Sequence, residues 1–537
     1  MLTKGTTGYG HVGRDKITVM GIPVITSYEE VTRRVVILSL LYLIPAICIL
    51  HPVIFDADIW WHLQAGKWMV EHGTLPVTDP FSAYGEGKPW VAYSWLFEVG
   101  MYGLVQAFGE VGIILYTLVG VWLIMMVLHR IIATRISNFV FICGLMALSI
   151  VTLSRMFTPR PWLLTILFFA ITLEVVLLIR EGKASRWMWL LPLVYVLWAN
   201  VHIQFIYGLG LLALACIAPV MDRFAQPFMR TRSVMAWGSP GWKKLVGLTG
   251  LCVLATLVTP YHIHLYRIVV ELSAQTGMWE YTQEMHAPTF RTAGDWAMLS
   301  FFCLVLVQLG RGTYWSLFEV LLIVAAGISA FRGQRDVWFF ALAGLVIFLP
   351  QVTEEKRIRR TTIPRSGLVP ICLLVVAGSA GILGWRGFSE AKIYENTAKV
   401  FPAEAVAFMG KQGYHGPLYN HFDWGGYLIW RLPQLKVSMD GRANIYGDER
   451  IKQAFLTWDG NPHWTEDSEL NKAGVVIARK DMALAALLRL DPRFKVAYHD
   501  EIAVVFTRAI QDRDQSNAPA SEGSLSDPLI VDLALTR

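Results

Sequence analysis

Charged residues are scarce in this 537-residue chain, with Asp, Glu, Lys and Arg together only 16% of it. Soluble globular domains carry about 25%, so a soluble protein is excluded. Cysteine is also sparse. The six, Cys48, Cys143, Cys216, Cys252, Cys303 and Cys372, all lie inside apolar runs rather than loops, which argues against a disulfide framework or a zinc site. No glycine-rich loop of the nucleotide-phosphate type is evident, and no internal repeat stands out. Hydrophobic residues are what the chain has in excess, at 54%, with a positive mean hydropathy of +0.45. The net charge of +6 then reports membrane orientation rather than affinity for nucleic acid, and no nucleic-acid partner is expected.

Apolar runs recur from Val35 to about Leu383, each compatible with the roughly 20 residues that cross a bilayer core of about 30 Å. Basic clusters at Lys4 to Arg34, Arg130 and Arg135, Arg180 to Arg186, Arg223 to Lys244, Arg311, and Lys356 to Arg365 are assigned to the cytoplasm. Threading through them gives about eleven spans: 35–54, 110–129, 137–153, 162–179, 187–201, 205–222, 245–260, 296–310, 314–331, 336–351 and 366–385. The segments 296–310 and 336–351 are short for a full crossing. The first span lacks a small-residue cleavage pattern and reads as a span, not a removable signal. This organisation predicts a cytoplasmic segment 1–34, a polytopic α-helical membrane domain 35–385 with an external loop 55–109, and an extracytoplasmic α/β domain 386–511. A tail 512–537, polar and poor in aromatics, is expected to be disordered.

The external loop is amphipathic. Trp61, Gln64, Ala65 and Trp68 recur at i, i+3, i+4 and i+7 within Asp58 to His72, the pattern of a helix at the membrane interface. Trp95 to Phe108 is a second candidate interfacial helix. Beyond the spans, strands are predicted at Pro417–Asn420, Lys436–Met439, Gly474–Ala478 and Ile502–Phe506. Helices are predicted near Ala403–Gly410, Glu449–Phe455 and Met482–Leu490, an alternation typical of a small α/β domain.

Three stretches, DADIWWHLQAGKWMVEHGTLPVTDPFSAYGEGKPWVAYSWLFE from Asp56, WANVHIQ from Trp198, and NHFDWGGYLIWRLP with MDGRANIYGDE, resemble a bacterial branch of the GT-C glycosyltransferase superfamily, over nearly the whole chain. The resemblance implies transfer of a sugar from a polyprenyl-phosphate donor to an acceptor (glycan, lipid or protein) on the outer face of the bacterial plasma membrane. It also implies an acidic residue at the catalytic centre of the first external loop, where Asp56 and Asp58 stand.

Glycosyl transfer to a hydroxyl needs a base for the acceptor proton and cationic or hydrogen-bonding groups for the departing phosphate. Asp58, just ahead of an aromatic pair, suits the base. Asp56 and Asp58 form an Asp-x-Asp pair that can hold a divalent cation, Mg or Mn, or simply cap the helix that follows. Arg155, Arg160, Arg332 and Arg335 fall at span ends on the external side, against the positive-inside tendency. Guanidinium forks match phosphate geometry, whereas the alternative for each is to reach toward lipid headgroups. His62, Asn200 and His202 are candidate substrate ligands, with helix joining in lipid as the alternative for Asn200 and His202. Glu280 and Glu284 are external acids able to supply a second carboxylate. Glu174 and Glu319 read as helix-packing residues. Asp423 to Gly426 and Asp440 to Arg442 serve either acceptor recognition or turns. Two other function classes share these features: a lipid or glycolipid flippase, and a noncatalytic membrane scaffold presenting the C-terminal domain.

Overall fold

The computed structural model describes residues 17–19, 22–24, 28–48, 56–225, 234–312, 315–349, 365–385 and 389–509. The tail beyond Asp512, most of the N-terminal segment and nearly all of the basic run from Lys356 lie outside them.

The apolar runs fold as helices. In chain order they are α1 (Tyr28–Cys48), α2 (Ile59–His72), α3 (Trp95–Phe108), α4 (Val111–Ala133), α5 (Phe139–Leu153), α6 (Trp162–Arg180), α7 (Leu191–Val201), α8 (Phe205–Ala225), α9 (Pro240–Ala255), α10 (His264–Ala274), α11 (Gly277–Tyr281), α12 (Ala293–Arg311), α13 (Leu317–Arg332), α14 (Val337–Phe348) and α15 (Arg365–Trp385). Eleven more α-helices and strands follow among the described residues, starting with α16 (Glu390–Thr397) and α17 (Ala403–Gln412). A helix thus occupies each of the eleven expected spans. Among the described residues only α4, α5 with its 3-10 extension, α6, α8 and α12 are long and apolar enough to cross a membrane alone, and α15 with α16, bent by 61°, makes a sixth candidate. The 12-residue α14 is buried from Val337 to Ile347. It packs as a core helix, which is why its run is apolar on every side.

Buried ion pairs join these helices. Glu174 meets Arg135 at 2.6 Å, and Glu319 meets Arg180 at 2.6 Å. Glu319 also closes a capping box with Ser316 at the start of α13. Both glutamates are therefore helix-joining residues.

The C-terminal domain is built on β3 (Pro417–Asn420), α18 (Phe422–Arg431), β4 (Lys436–Val437), α19 (Ala443–Trp458), α20 (Ser468–Lys472), β5 (Val475–Arg479), α21 (Ala483–Leu490), β6 (Phe494–His499) and β7 (Ala503–Arg508); a small hairpin, β1 (Ile17–Val19) with β2 (Ile22–Val24), lies ahead of α1. The five-stranded sheet has the order β4-β3-β5-β7-β6, with β4, β3 and β5 parallel and β7 and β6 antiparallel. Its open edge is not left bare, a hazard for any sheet. The first external loop adds itself there: Ala83 N donates to Val437 O at 2.9 Å and Val437 N to Phe81 O at 3.2 Å.

The two parts are further interlocked around α2. Rather than lying free at an interface, α2 buries Ile59 to Gly66 against α3 and α18, and Trp60 sits edge-on to Tyr427 at 5.3 Å. Gly425 and Gly426, read from the sequence as preceding a helix, lie inside α18. A side chain at 425 would strike Met439 and Asp440, and one at 426 would come within 2.6 Å of Ala57 O. The glycine pair thus sets how closely the C-terminal domain approaches the start of α2.

Candidate active site

The two aspartates of the first loop separate by role. Asp56 is buried, and its Oδ1 accepts hydrogen bonds from the backbone N–H of Asp58 at 2.9 Å and of Ile59 at 3.3 Å. It caps α2. Its Oδ2 accepts from Arg160 Nε at 2.7 Å. Asp58, at the start of α2, makes no capping bond with its side chain. Its carboxylate faces a cavity of about 250 Å³, with Oδ2 2.8 Å from Arg160 Nη1.

Arg160, in the turn before α6, is the hub of this cluster. Besides both aspartates it reaches Glu284 at 3.2 Å and stacks over Trp162 at 4.7 Å. Burial pushes the Asp58 carboxyl up to about 6; Arg160 opposes that shift, while Asp56 and Glu284 reinforce it. The result is a carboxylate ionised at neutral pH and more basic than a free one. Behind it, His62 Nδ1 lies 3.2 Å from Glu98 Oε1. Burial raises Glu98 to about 8 despite Arg442 and lowers His62, so both are uncharged near neutrality.

His202 lines the same cavity. Trp198 Nε1 donates to Thr165 Oγ1 at 2.9 Å, and that hydroxyl is 2.8 Å from His202 Nδ1. A hydroxyl carries two acceptor lone pairs and one proton, so Thr165 can pair with either tautomer of His202; when it donates its proton to Nδ1, the N–H of His202 sits on Nε2, facing away from Thr165. Burial, then Arg335 and Arg160, hold His202 below its ordinary pKa.

Among the described residues, no group of three or more His, Cys, Asp or Glu is placed to hold a metal ion. Asp56, Asp58 and Glu284 do converge, but on the guanidinium of Arg160.

No family model and no curated protein sequence matches the chain. Among solved structures, the oligosaccharyltransferase of Archaeoglobus fulgidus tethered to an acceptor peptide superposes with a TM-score of 0.50 at 11% identity, over 84% of this chain and 69% of that one. The fold is thus shared with that oligosaccharyltransferase. Two further structures match at a TM-score of 0.48 each. One is AglB of the same archaeon with an inhibitory peptide and a dolichol-phosphate, 12% identical over 84% and 70% of the two chains. The other is ArnT of Cupriavidus metallidurans bound to undecaprenyl phosphate, 13% identical over 90% and 99%.

Within this fold the four arginines diverge. Arg335 lines the cavity; among the described residues its one ion pair, to Glu284, is loose at 3.8 Å, and its Nε is buried without a partner. Arg332 is exposed and stacks over Trp279 at 4.2 Å, a residue of the cavity wall. Arg155 is held by the buried Asp295 at 2.9 Å, outside the cavity. Asn200 is also outside it. The Asn200 amide accepts from Trp95 Nε1 and donates to the carbonyls of Val196 and Val258, each at 2.8 Å, so its polar atoms are spent joining helices. Of the two loop acids, Glu284 enters the site and Glu280 is exposed away from it.

The C-terminal domain closes the cavity. Arg442 is buried among Asp440, at 2.7 and 2.8 Å, and Asp79 of the first loop, at 2.6 Å, and its guanidinium lies over Trp90 at 4.7 Å. The preceding Gly441 packs directly on Asp58. Asp448, just past the break at Gly447 in α19, accepts from Thr276 N and Gly277 N at 2.9 Å each, and Tyr281 stacks on Phe455 at 5.1 Å. One domain thereby grips both the loop carrying Asp58 and the loop carrying Glu284. The sequence reading missed Glu98, Tyr93, Ser94 and the contact at Gly441. A lone glutamate in WLFEVGMYGLV was the available signal for Glu98, since ionisable groups in apolar segments mark sites by default.

Proposed function

We propose that the chain is an integral membrane glycosyltransferase of the bacterial plasma membrane, moving a sugar from a polyprenyl-phosphate donor to an acceptor on the extracytoplasmic face. The observation that carries this reading is Asp58, a partly buried carboxylate with a raised pKa, facing a cavity that also presents the loosely held guanidinium of Arg335. The fold shared with the oligosaccharyltransferase supports it.

In the mechanism, Asp58 takes the proton of the acceptor hydroxyl as that oxygen bonds the anomeric carbon. The bond from that carbon to the phosphate oxygen breaks, and the electron pair leaves on the phosphate. Arg335 and the Nε2–H of His202 receive the new charge, a donor arrangement that stabilises it most in a site shielded from water. Arg160 holds Asp58 in place, and Asp56 fixes both Arg160 and the start of α2. Arg332 and Trp279 sit where the lipid phosphate enters. No step is assigned to a divalent cation, because Arg160 occupies the centre of the carboxylates.

A single displacement inverts the anomeric carbon. The test uses membranes of a deletion strain, in which donor and acceptor remain unreacted, incubated with purified wild-type protein or Asp58→Asn. Wild type is expected to restore the glycan with inverted configuration by NMR and Asp58→Asn to restore none. A product of retained configuration overturns the mechanism.

A further inference from the structure

We propose that Ser94 and Glu98, supported by His62, form a subsite that hydrogen-bonds hydroxyl groups of the donor's sugar and so selects which sugar is transferred.

Ser94 and Glu98 are each 1% exposed, yet among the described residues Ser94 Oγ and Glu98 Oε2 have no hydrogen-bond partner, and both residues line the cavity. Buried polar atoms are nearly always paired, because leaving one unmade costs its full desolvation. Two orphans on one wall of one cavity are accounted for by a ligand that supplies their partners. The other carboxyl oxygen of Glu98 is anchored by His62 at 3.2 Å, and Gly66 of α2 packs on the backbone carbonyl of Glu98, so the side chain is held rather than free to turn away.

The chemistry of this wall suits a sugar and not a phosphate. An uncharged carboxyl group beside an uncharged imidazole brings no positive charge to an anion, whereas it both gives and accepts hydrogen bonds with hydroxyls. Trp61 and Trp90 line the same cavity, supplying apolar surface for the C–H face of a ring. The cavity volume, about 250 Å³, sits near the lower end of ligand pockets, which favours one sugar ring over an oligosaccharide. Discrimination follows, because a site built to pair a hydroxyl rejects an analogue lacking it.

This inference rests on the donor reading above, and the experiment separates the two. Full-length protein in nanodiscs is titrated with undecaprenyl phosphate and with a panel of undecaprenyl-phosphate hexoses and pentoses, following quenching of the cavity tryptophans. The expected result is that at least one sugar-bearing lipid binds wild type about tenfold tighter than undecaprenyl phosphate. Glu98→Leu is expected to remove that preference, Ser94→Ala to reduce it, and neither to change binding of undecaprenyl phosphate. The preference is also expected to fade above pH 8 in wild type and stay level in Glu98→Gln. The groups facing Glu98 are His62 from α2, Tyr93 ahead of α3, Tyr261 after α9 and Arg442 from the C-terminal domain. Undiminished preference in both Glu98→Leu and Ser94→Ala, or no preference in wild type, overturns the subsite while leaving the donor reading intact. Failure of wild type to bind any of these lipids overturns the donor reading itself.

Discussion

Gly441 and Asp58 touch so closely that a methyl group at position 441 would fall on the Oδ1 of the Asp58 carboxylate. The C-terminal domain is thus part of the wall that holds the proposed base. Gly441→Ala is expected to lower transfer about 100-fold, the scale of a displacement of about 1 Å in a reacting group. The check is turnover at matched abundance, with thermal unfolding close to wild type. Wild-type turnover would remove the domain from the site.

The pair of Arg442 and Asp79 ties the same domain to the first loop, and both side chains are at most 1% exposed. Asp79→Ala leaves Arg442 paired with Asp440 alone and strips the backbone N–H groups of Phe81 and Ser82 of their acceptor, so it is expected to destabilise by about 1–3 kcal/mol. Lys436→Ala, which breaks an exposed pair with Glu86, is expected to cost no more than about 1 kcal/mol. Chemical denaturation of the purified proteins distinguishes the two.

Asp58 acts as a base only when ionised. With its carboxyl pushed up to about 6, kcat/KM is expected to fall as pH drops through about 6. Glu284 raises that pKa by repulsion, so Glu284→Gln is expected to move the acidic limb to lower pH. A limb that stays in place in Glu284→Gln would detach the two carboxylates.

The arginines are expected to divide into two classes. Arg335→Gln is expected to weaken donor binding and turnover together by about tenfold or more, as loss of a charge-assisted contact to phosphate does. Arg155→Gln, which breaks the pair with Asp295, is expected to lower thermal stability and leave KM near wild type. Steady-state kinetics beside melting curves tests the division.

Glu98 makes stability itself depend on pH. Its folded pKa of about 8 lies above the ordinary glutamate value of 4.5, so the native state keeps a proton that the unfolded chain releases between those values. Stability is expected to be highest below the unfolded pKa and to fall, by up to about 1.4 kcal/mol per pH unit from this group, until the pH passes about 8. Glu98→Gln is expected to flatten that dependence in melting curves recorded from pH 5 to 9.

Much of this organisation was readable in the chain. Apolar run length marked the stretches that become helices, and a carboxylate, guanidinium or imidazole beside hydrocarbon picked out Asp58, Arg160, His202 and Arg335, which the structure brings around one cavity. What failed did so for physical reasons. Asn200 and Arg155 carry the same polar groups as site residues, and only the positions of Trp95, Val258 and Asp295 reveal that those groups are spent. Gly425 and Gly426 looked like a turn because glycine disfavours helices, while the reason for them, close packing on α2, is tertiary. The strand β6 was passed over because Phe494–His499 is largely solvent-facing and lacks a clear alternation of burial. Glu98 was hidden in an apolar helix, and the clamp of Gly441 on Asp58 joins residues far apart in the chain.

The most direct measurement is profiling of glycans and lipid-linked sugars in cells carrying wild-type protein, a deletion, or Asp58→Asn at matched protein abundance. Loss of one glycan with accumulation of one polyprenyl-phosphate sugar, in the deletion and in Asp58→Asn alike, is the expected result. A defect in the deletion that Asp58→Asn fully repairs would contradict transfer chemistry at Asp58 and point to a scaffold or transporter.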